Sequence, residues 1–221
     1  MNATRRQPVT VALIAAVAGI FGIFLLQVTV GPGWTRTFGA IPVEIRAGAE
    51  QLAAGEFSPG ALLEVSTVFT CTLMHGGIEH VAFNLVYLWI FGWLVMQALG
   101  VLWGLAIFVI TGIAGSLTQC FFDWDSPIPI IGASGAVLGF EGAYLGLYLR
   151  YPLRDPDIWP IAYPIPPMNL LILTLFGVVA DIGGILQQGQ GIAYGAHLGG
   201  LVSGLFLTSF VVGKVRPEAL R

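Results

Sequence analysis

Pro127–Arg150, PIPIIGASGAVLGFEGAYLGLYLR, is the stretch whose reading decides the fold. Pro127, Pro129 and Gly132 forbid a continuous helix at its start, whereas Ser134 to Leu149 is an apolar run interrupted only by Glu141. As a helix, that run is about 24 Å long, short of the roughly 30 Å hydrocarbon core of a bilayer. If its lower end meets a membrane surface at Arg150, Ser134 sits below the opposite surface, with irregular backbone leading down to it. Such backbone is tolerated only where protein shields it or it lines a water-filled cavity. The spacing therefore predicts a wet pocket that opens outward at Ser134.

The rest of the chain fits a membrane setting. Of 221 residues, 56% are hydrophobic and only 10% charged, against about 25% charged in soluble domains; the mean hydropathy is +0.85. This composition indicates an all-α integral membrane protein. A net charge of -3 without any Lys/Arg run leaves no footprint for nucleic acid. Six spans are predicted, at Val9–Val30, His80–Met96, Val101–Cys120, Ser134–Leu149, Met168–Leu186 and Ile192–Val212. Val9–Val30 is longer than the apolar region of a signal peptide, so it reads as a retained helix. Seven of the nine Lys/Arg (Arg5, Arg6, Arg150, Arg154, Lys214, Arg216, Arg221) fall on one side of this arrangement, which places both termini in the cytoplasm.

The expected organisation is a cytoplasmic N-terminus at 1–8, one membrane domain at 9–213 and a cytoplasmic tail at 214–221. Residues 31–66 form an outer loop, either an amphipathic element in the outer leaflet or a solvated connection. The Pro-rich Tyr151–Pro167 reads as a cytoplasmic linker. Compactness fits a prokaryotic inner membrane. Cys71 and Cys120 lie in apolar surroundings without metal-like spacing and are expected to be buried free thiols.

The chemistry gathers at three places. Ser134 stands between small residues at a helix start, where unpartnered N–H groups and the helix dipole favour a developing oxyanion. His197, in Ala196-His197-Leu198-Gly199, is a histidine within an apolar run and can take a serine proton. Gly135, Gly139, Gly142 and Gly146 on the fourth span match Gly195, Gly199, Gly200 and Gly204 on the sixth, and small-residue faces let two such helices approach closely. The same glycines also suit ordinary membrane packing. In HGGIEHVAFN, His80 and Asn84 are four apart, hence on one helical face, and can both donate hydrogen bonds. A zinc site is not expected: HExxH is absent, and His75 and His80 do not share a helical face. Neither a metal nor another cofactor is required. Glu141 and Asp181 are acids in apolar spans and must face protein or water, which makes them candidates for an internal polar network.

Three motifs in this order, His75-x4-His80-x3-Asn84, Gly132-x-Ser134-Gly135 and Ala196-His197-x2-Gly200-x3-Gly204, resemble those of the rhomboid intramembrane serine proteases of the minimal six-helix type. The similarity runs from about Phe69 to Gly204. It implies a six-helix bundle whose short central helix carries the serine. Ser134 would be the nucleophile and His197 its base, acting as a dyad without an aspartate. His80, Asn84 and the Ser134 backbone N–H would form the oxyanion hole, and His75, Gly132, Gly135, Gly199 and Gly200 would support the site structurally. The implied activity is endoproteolysis of single-span membrane proteins within their transmembrane segments; the alternative is a silent relative that binds client helices. Leu138 stands where family members often carry an aromatic that packs on the histidine, so the orientation of His197 must depend on other neighbours, Tyr194 among them. The oligomeric state is open.

Overall fold

The structure is a computed structural model and describes residues 3–153, 158, 166–187, 191–210 and 215–216, with backbone only at 3–6 and 167. Arg154, Lys214, Arg221 and most of the Tyr151–Pro167 linker lie outside the described residues, as does most of the 214–221 tail. The described secondary structure is helical, apart from one isolated bridge. The helices are α1 (Ala3–Val30), α2 (Gly33–Phe38), α3 (Pro42–Ala53), α4 (Pro59–Thr70), α5 (Ile78–Leu99), α6 (Val101–Phe122), α7 (Ser134–Arg150), α8 (Pro167–Leu186) and α9 (Tyr194–Leu207), with 3-10 turns at Cys71–Leu73 and Thr208–Phe210.

Four segments are long and apolar enough to cross a bilayer: Gln7–Val30, Ile78–Leu99, Val101–Phe122 and Met168–Leu186. They correspond to four of the six expected spans, with α5 running two residues further at its start and three at its end than the sequence pattern suggests. The other two expected spans are the shorter helices α7, with 17 residues, and α9, with 14. Gly100, at φ +99°, is the single residue between α5 and α6; a positive φ there lets one glycine reverse the chain.

The outer loop is not an irregular connection. It folds into α2, α3 and α4, two of them opened by prolines placed where a missing N–H costs nothing: Pro42 starts α3, and Pro59 starts α4 behind a Ser58 cap whose Oγ accepts from the Ala61 N–H at 3.0 Å. Arg36 of α2 pairs with Glu44 of α3.

The core lies where α1, α5 and α7 meet. Leu13, Leu88, Phe91, Trp93, Phe140 and Leu147 are among its fully buried large side chains. Helix α7 packs most extensively against α9 and α6, and its interface with α9 is made by the glycines. A Cβ on Gly200 would fall on the Gly135 carbonyl oxygen, one on Gly204 on the Gly139 carbonyl, and one on Gly142 on the Leu201 carbonyl. Gly199 faces the other way, against Thr118 and the Ala114 carbonyl of α6. By contrast α8 meets the bundle chiefly through α9 and exposes Ile172, Leu175, Phe176, Val179 and Ile182. Cys71 and Cys120 are buried free thiols in a small cluster with Ala40 and Ile45.

Candidate active site

Ser134 is the first residue of α7, at the end of the irregular segment expected from Pro127, Pro129 and Gly132. That segment finds hydrogen bonds in the 31–66 segment and in the 3-10 turn that follows α4. Val43 N–H donates to the Ser126 carbonyl at 3.2 Å, Ala40 and Ile130 exchange two bonds of 3.0 and 2.8 Å, and Gly132 N–H donates to the Cys71 carbonyl at 2.9 Å. Arg46 of α3 pairs with Asp125. The helical outer loop thus serves the backbone groups that a bilayer would leave unpaired.

Gly132 has φ +119°, and a Cβ there would lie 2.6 Å from His80 Nε2. The glycine both permits the turn into α7 and brings the His80 ring beside it. His80 Nδ1 accepts from the Gly76 N–H at 3.3 Å, so the ring proton sits on Nε2 and is available to donate. One turn on, Asn84 is 6% exposed, and its Nδ2 donates to the His80 carbonyl at 3.0 Å, with a second N–H to spare. His75 is buried behind His80, the two rings edge to face at 5.1 Å. Its backbone N–H and carbonyl are both held by Gln27 of α1, at 3.0 and 2.7 Å, and its Nε2 accepts from the Ala133 N–H at 3.4 Å. Burial pushes the His75 pKa down to about 4, with His80 acting in the same direction and the Leu73 carbonyl opposing it, so the ring is a neutral acceptor at physiological pH.

His197 lies in the first turn of α9. The close α7–α9 contact sets its segment against that of Ser134: a Cβ on Gly135 would be 3.1 Å from the Ala196 carbonyl. Tyr194, one turn before it, packs edge-on at 6.4 Å between ring centroids. Its Nδ1 lies 3.0 Å from both carboxylate oxygens of Asp181 on α8. The sequence made Asp181 a candidate for an internal polar network without an assigned partner; an acid in an apolar span must face protein or water, but the spacing does not say which group it meets.

Ser134, His197, His80, Asn84, Asp181 and Glu141 all line one cavity of about 750 Å³. The Ser134 hydroxyl makes no hydrogen bond to a described residue; it shares the cavity with His197 rather than bonding to it. Glu141 is 4% exposed, in the cavity wall two turns beyond Ser134. Among the described residues no group of three or more His, Cys, Asp or Glu could hold a metal ion.

The profile of the Rhomboid domain matches residues 63–214. RHOMBOID-like protein 5 of Arabidopsis thaliana is 32% identical over 151 residues, 68% of this chain and 45% of that protein. Rhomboid protease GluP of Bacillus subtilis is 31% identical over 190 residues, covering 85% of this chain and 32% of its own. Rhomboid protease GlpG of Pectobacterium atrosepticum is 28% identical over 212 residues, covering 96% and 66%. The chain thus spans less than two thirds of the length of these relatives. With the domain profile covering most of its length and apolar helices able to cross a bilayer, the chain is a multi-pass integral membrane protein that belongs to the rhomboid family.

Proposed function

We propose that this rhomboid is an intramembrane serine endopeptidase that cleaves the transmembrane segments of single-span membrane proteins. The observation that carries the reading is the single cavity shared by Ser134, His197, His80 and Asn84, with Ser134 at a helix N-terminus. Two of the relatives above are named as rhomboid proteases. In this reading α7 and α9 cross the membrane with the four longer helices. Both termini face the cytoplasm of a prokaryotic cell, in keeping with the Lys/Arg asymmetry.

Ser134 Oγ attacks the substrate carbonyl while its proton passes to His197 Nε2. The carbonyl oxygen takes the negative charge and is held by His80 Nε2–H, the spare Asn84 N–H and the Ser134 backbone N–H, reinforced by the α7 dipole. The C–N bond then breaks as His197 returns the proton to the leaving amine. Water attacks the acyl-enzyme by the same route and restores the hydroxyl. A substrate helix must unwind to present its carbonyl at Ser134, so segments with helix-destabilising and small residues are the expected substrates. Among the described residues α8 packs on the bundle chiefly through α9, so the cavity wall it forms is the easiest to displace.

A second reading, a silent rhomboid that retains client helices, draws on one observation: the Ser134 hydroxyl has no hydrogen-bond partner among the described residues. Enzymes often close such bonds only when substrate binds. The test is cleavage of a single-span reporter with a Gly/Pro-containing transmembrane segment in proteoliposomes. The protease reading expects cleavage by the wild type and none by Ser134→Ala or His197→Ala. Reporter that is co-purified uncut, equally by the wild type and Ser134→Ala, would establish the silent reading.

A further inference from the structure

Asp181 is the one acid of α8, a helix otherwise made of apolar residues and glycines with a single threonine and asparagine, and its carboxylate meets the imidazole of His197 across the α8–α9 interface. Both Oδ atoms are 3.0 Å from Nδ1, with the two side chains only 18% and 17% exposed. The same face of α8 is shaped around this end of α9. Gly184, one turn beyond Asp181, has the Tyr194 ring where its Cβ would be, and Tyr194 in turn packs edge-on against His197. Leu138, on the Ser134 helix, joins Asp181 and His197 in lining a narrow crevice and offers the imidazole an apolar side chain without a ring to stack on.

We propose that Asp181 is the positioning residue for His197, completing a Ser134–His197–Asp181 triad whose acid comes from α8. The inference rests on the proteolytic reading above for its catalytic meaning, but not for the bond itself. A carboxylate can only accept, so Nδ1 must carry the proton, and the lone pair of Nε2 is left facing the cavity, where the Ser134 proton must go. When that proton arrives the imidazolium forms beside a fixed negative charge. Asp181 gives up and takes on no proton in the cycle: the proton moves from Ser134 Oγ to Nε2 and on to the amine, and then from water to Nε2 and back to Oγ. A bridge that merely ties α8 to α9 would accept any side chain that fills the same space. A positioning role requires an acceptor at Nδ1. Glu79, His80 and Tyr87 of α5 and Glu141 of α7 are the other titratable side chains on this cavity's wall, and none is bonded to His197 Nδ1 among the described residues.

The chain has three histidines, so histidine-selective 15N labelling in micelles resolves His197 by comparison with His197→Ala. At pH 8 the wild type should show His197 protonated on Nδ1, and Asp181→Asn should lose that tautomer preference while Asp181→Glu keeps it. With reporter substrate, Asp181→Asn should lower kcat by at least about tenfold with KM within twofold, because the interaction gained in the transition state is removed while substrate contacts are not. Asp181→Glu should recover most of kcat. An Nε2-protonated His197 in the wild type, or an Asp181→Asn protein with an unchanged tautomer, would overturn the proposal, as would an unchanged kcat in an active protein. If the wild type cleaves nothing yet shows the Asp181-dependent tautomer, the positioning stands and the proteolytic reading fails.

Discussion

Replacing Gly132 by alanine tests how tightly the turn before Ser134 is tied to His80. A Cβ at this position would lie 2.6 Å from His80 Nε2 and 2.7 Å from Cε1, whereas ordinary contacts begin at 3.4 Å, so ring and backbone must separate by about 0.8 Å. At φ +119° an alanine also carries backbone strain of about 1–3 kcal/mol. A shift approaching 1 Å in a group that receives developing charge costs on the order of 10²-fold in rate. In proteoliposomes with a transmembrane reporter, Gly132→Ala should therefore lower kcat by about 10²-fold, with a fall in unfolding midpoint at least as large as the strain requires. Gly55 provides the control, because it has φ +82° in open space in the α3–α4 turn. Gly55→Ala bears the strain without the collision and should keep its activity. Wild-type kcat in Gly132→Ala, or an equal loss in Gly55→Ala, would refute the reasoning.

Three further outcomes are expected. His75 has a folded-state pKa of about 4 against 6.5 for a free imidazole, so the unfolded chain binds the extra proton between these values. Stability is therefore unaffected above about pH 6.5 and falls as the pH drops towards 4, by about 3 kcal/mol in all; His75→Gln should flatten that part of the unfolding curve. Gln27→Leu strips the His75 N–H and carbonyl of their partners and should destabilise the protein by about 1–3 kcal/mol for each group that water fails to reach, as read by thermal unfolding. Gly200→Ala forces α9 away from the Gly135 carbonyl and should cost about 1–3 kcal/mol along with activity, whereas Gly22→Ala, with nothing near its Cβ, should be neutral or stabilising.

Much of the candidate site's geometry could be read from the sequence because each motif carries its own physics. Two prolines and a glycine before Ser134 dictate an irregular approach, and the structure supplies it, with α7 starting at the serine. Glycines at four-residue spacing dictate a close helix pair, and α7 and α9 form one. His80 and Asn84 share a face because they are four apart. What could not be read depends on contacts between distant segments. Nothing local to residues 31–66 says that they fold largely into helices, or that Ala40 and Val43 pair with the backbone of Ile130 and Ser126. The Asp181–His197 bond joins two helices whose relative rotation no periodicity fixes. Gln27 reads as one polar residue near the end of an apolar helix until the structure sets it against the backbone of His75, 48 residues away.

The central claim is that Ser134 is a nucleophile activated by His197, and a fluorophosphonate probe asks this without knowledge of the substrate. Detergent-solubilised wild type should be labelled covalently, with the adduct mapped to the peptide containing Ser134 by mass spectrometry and lost in both Ser134→Ala and His197→Ala. A folded wild type that takes up no probe, or a His197→Ala variant labelled as fast as the wild type, would contradict it.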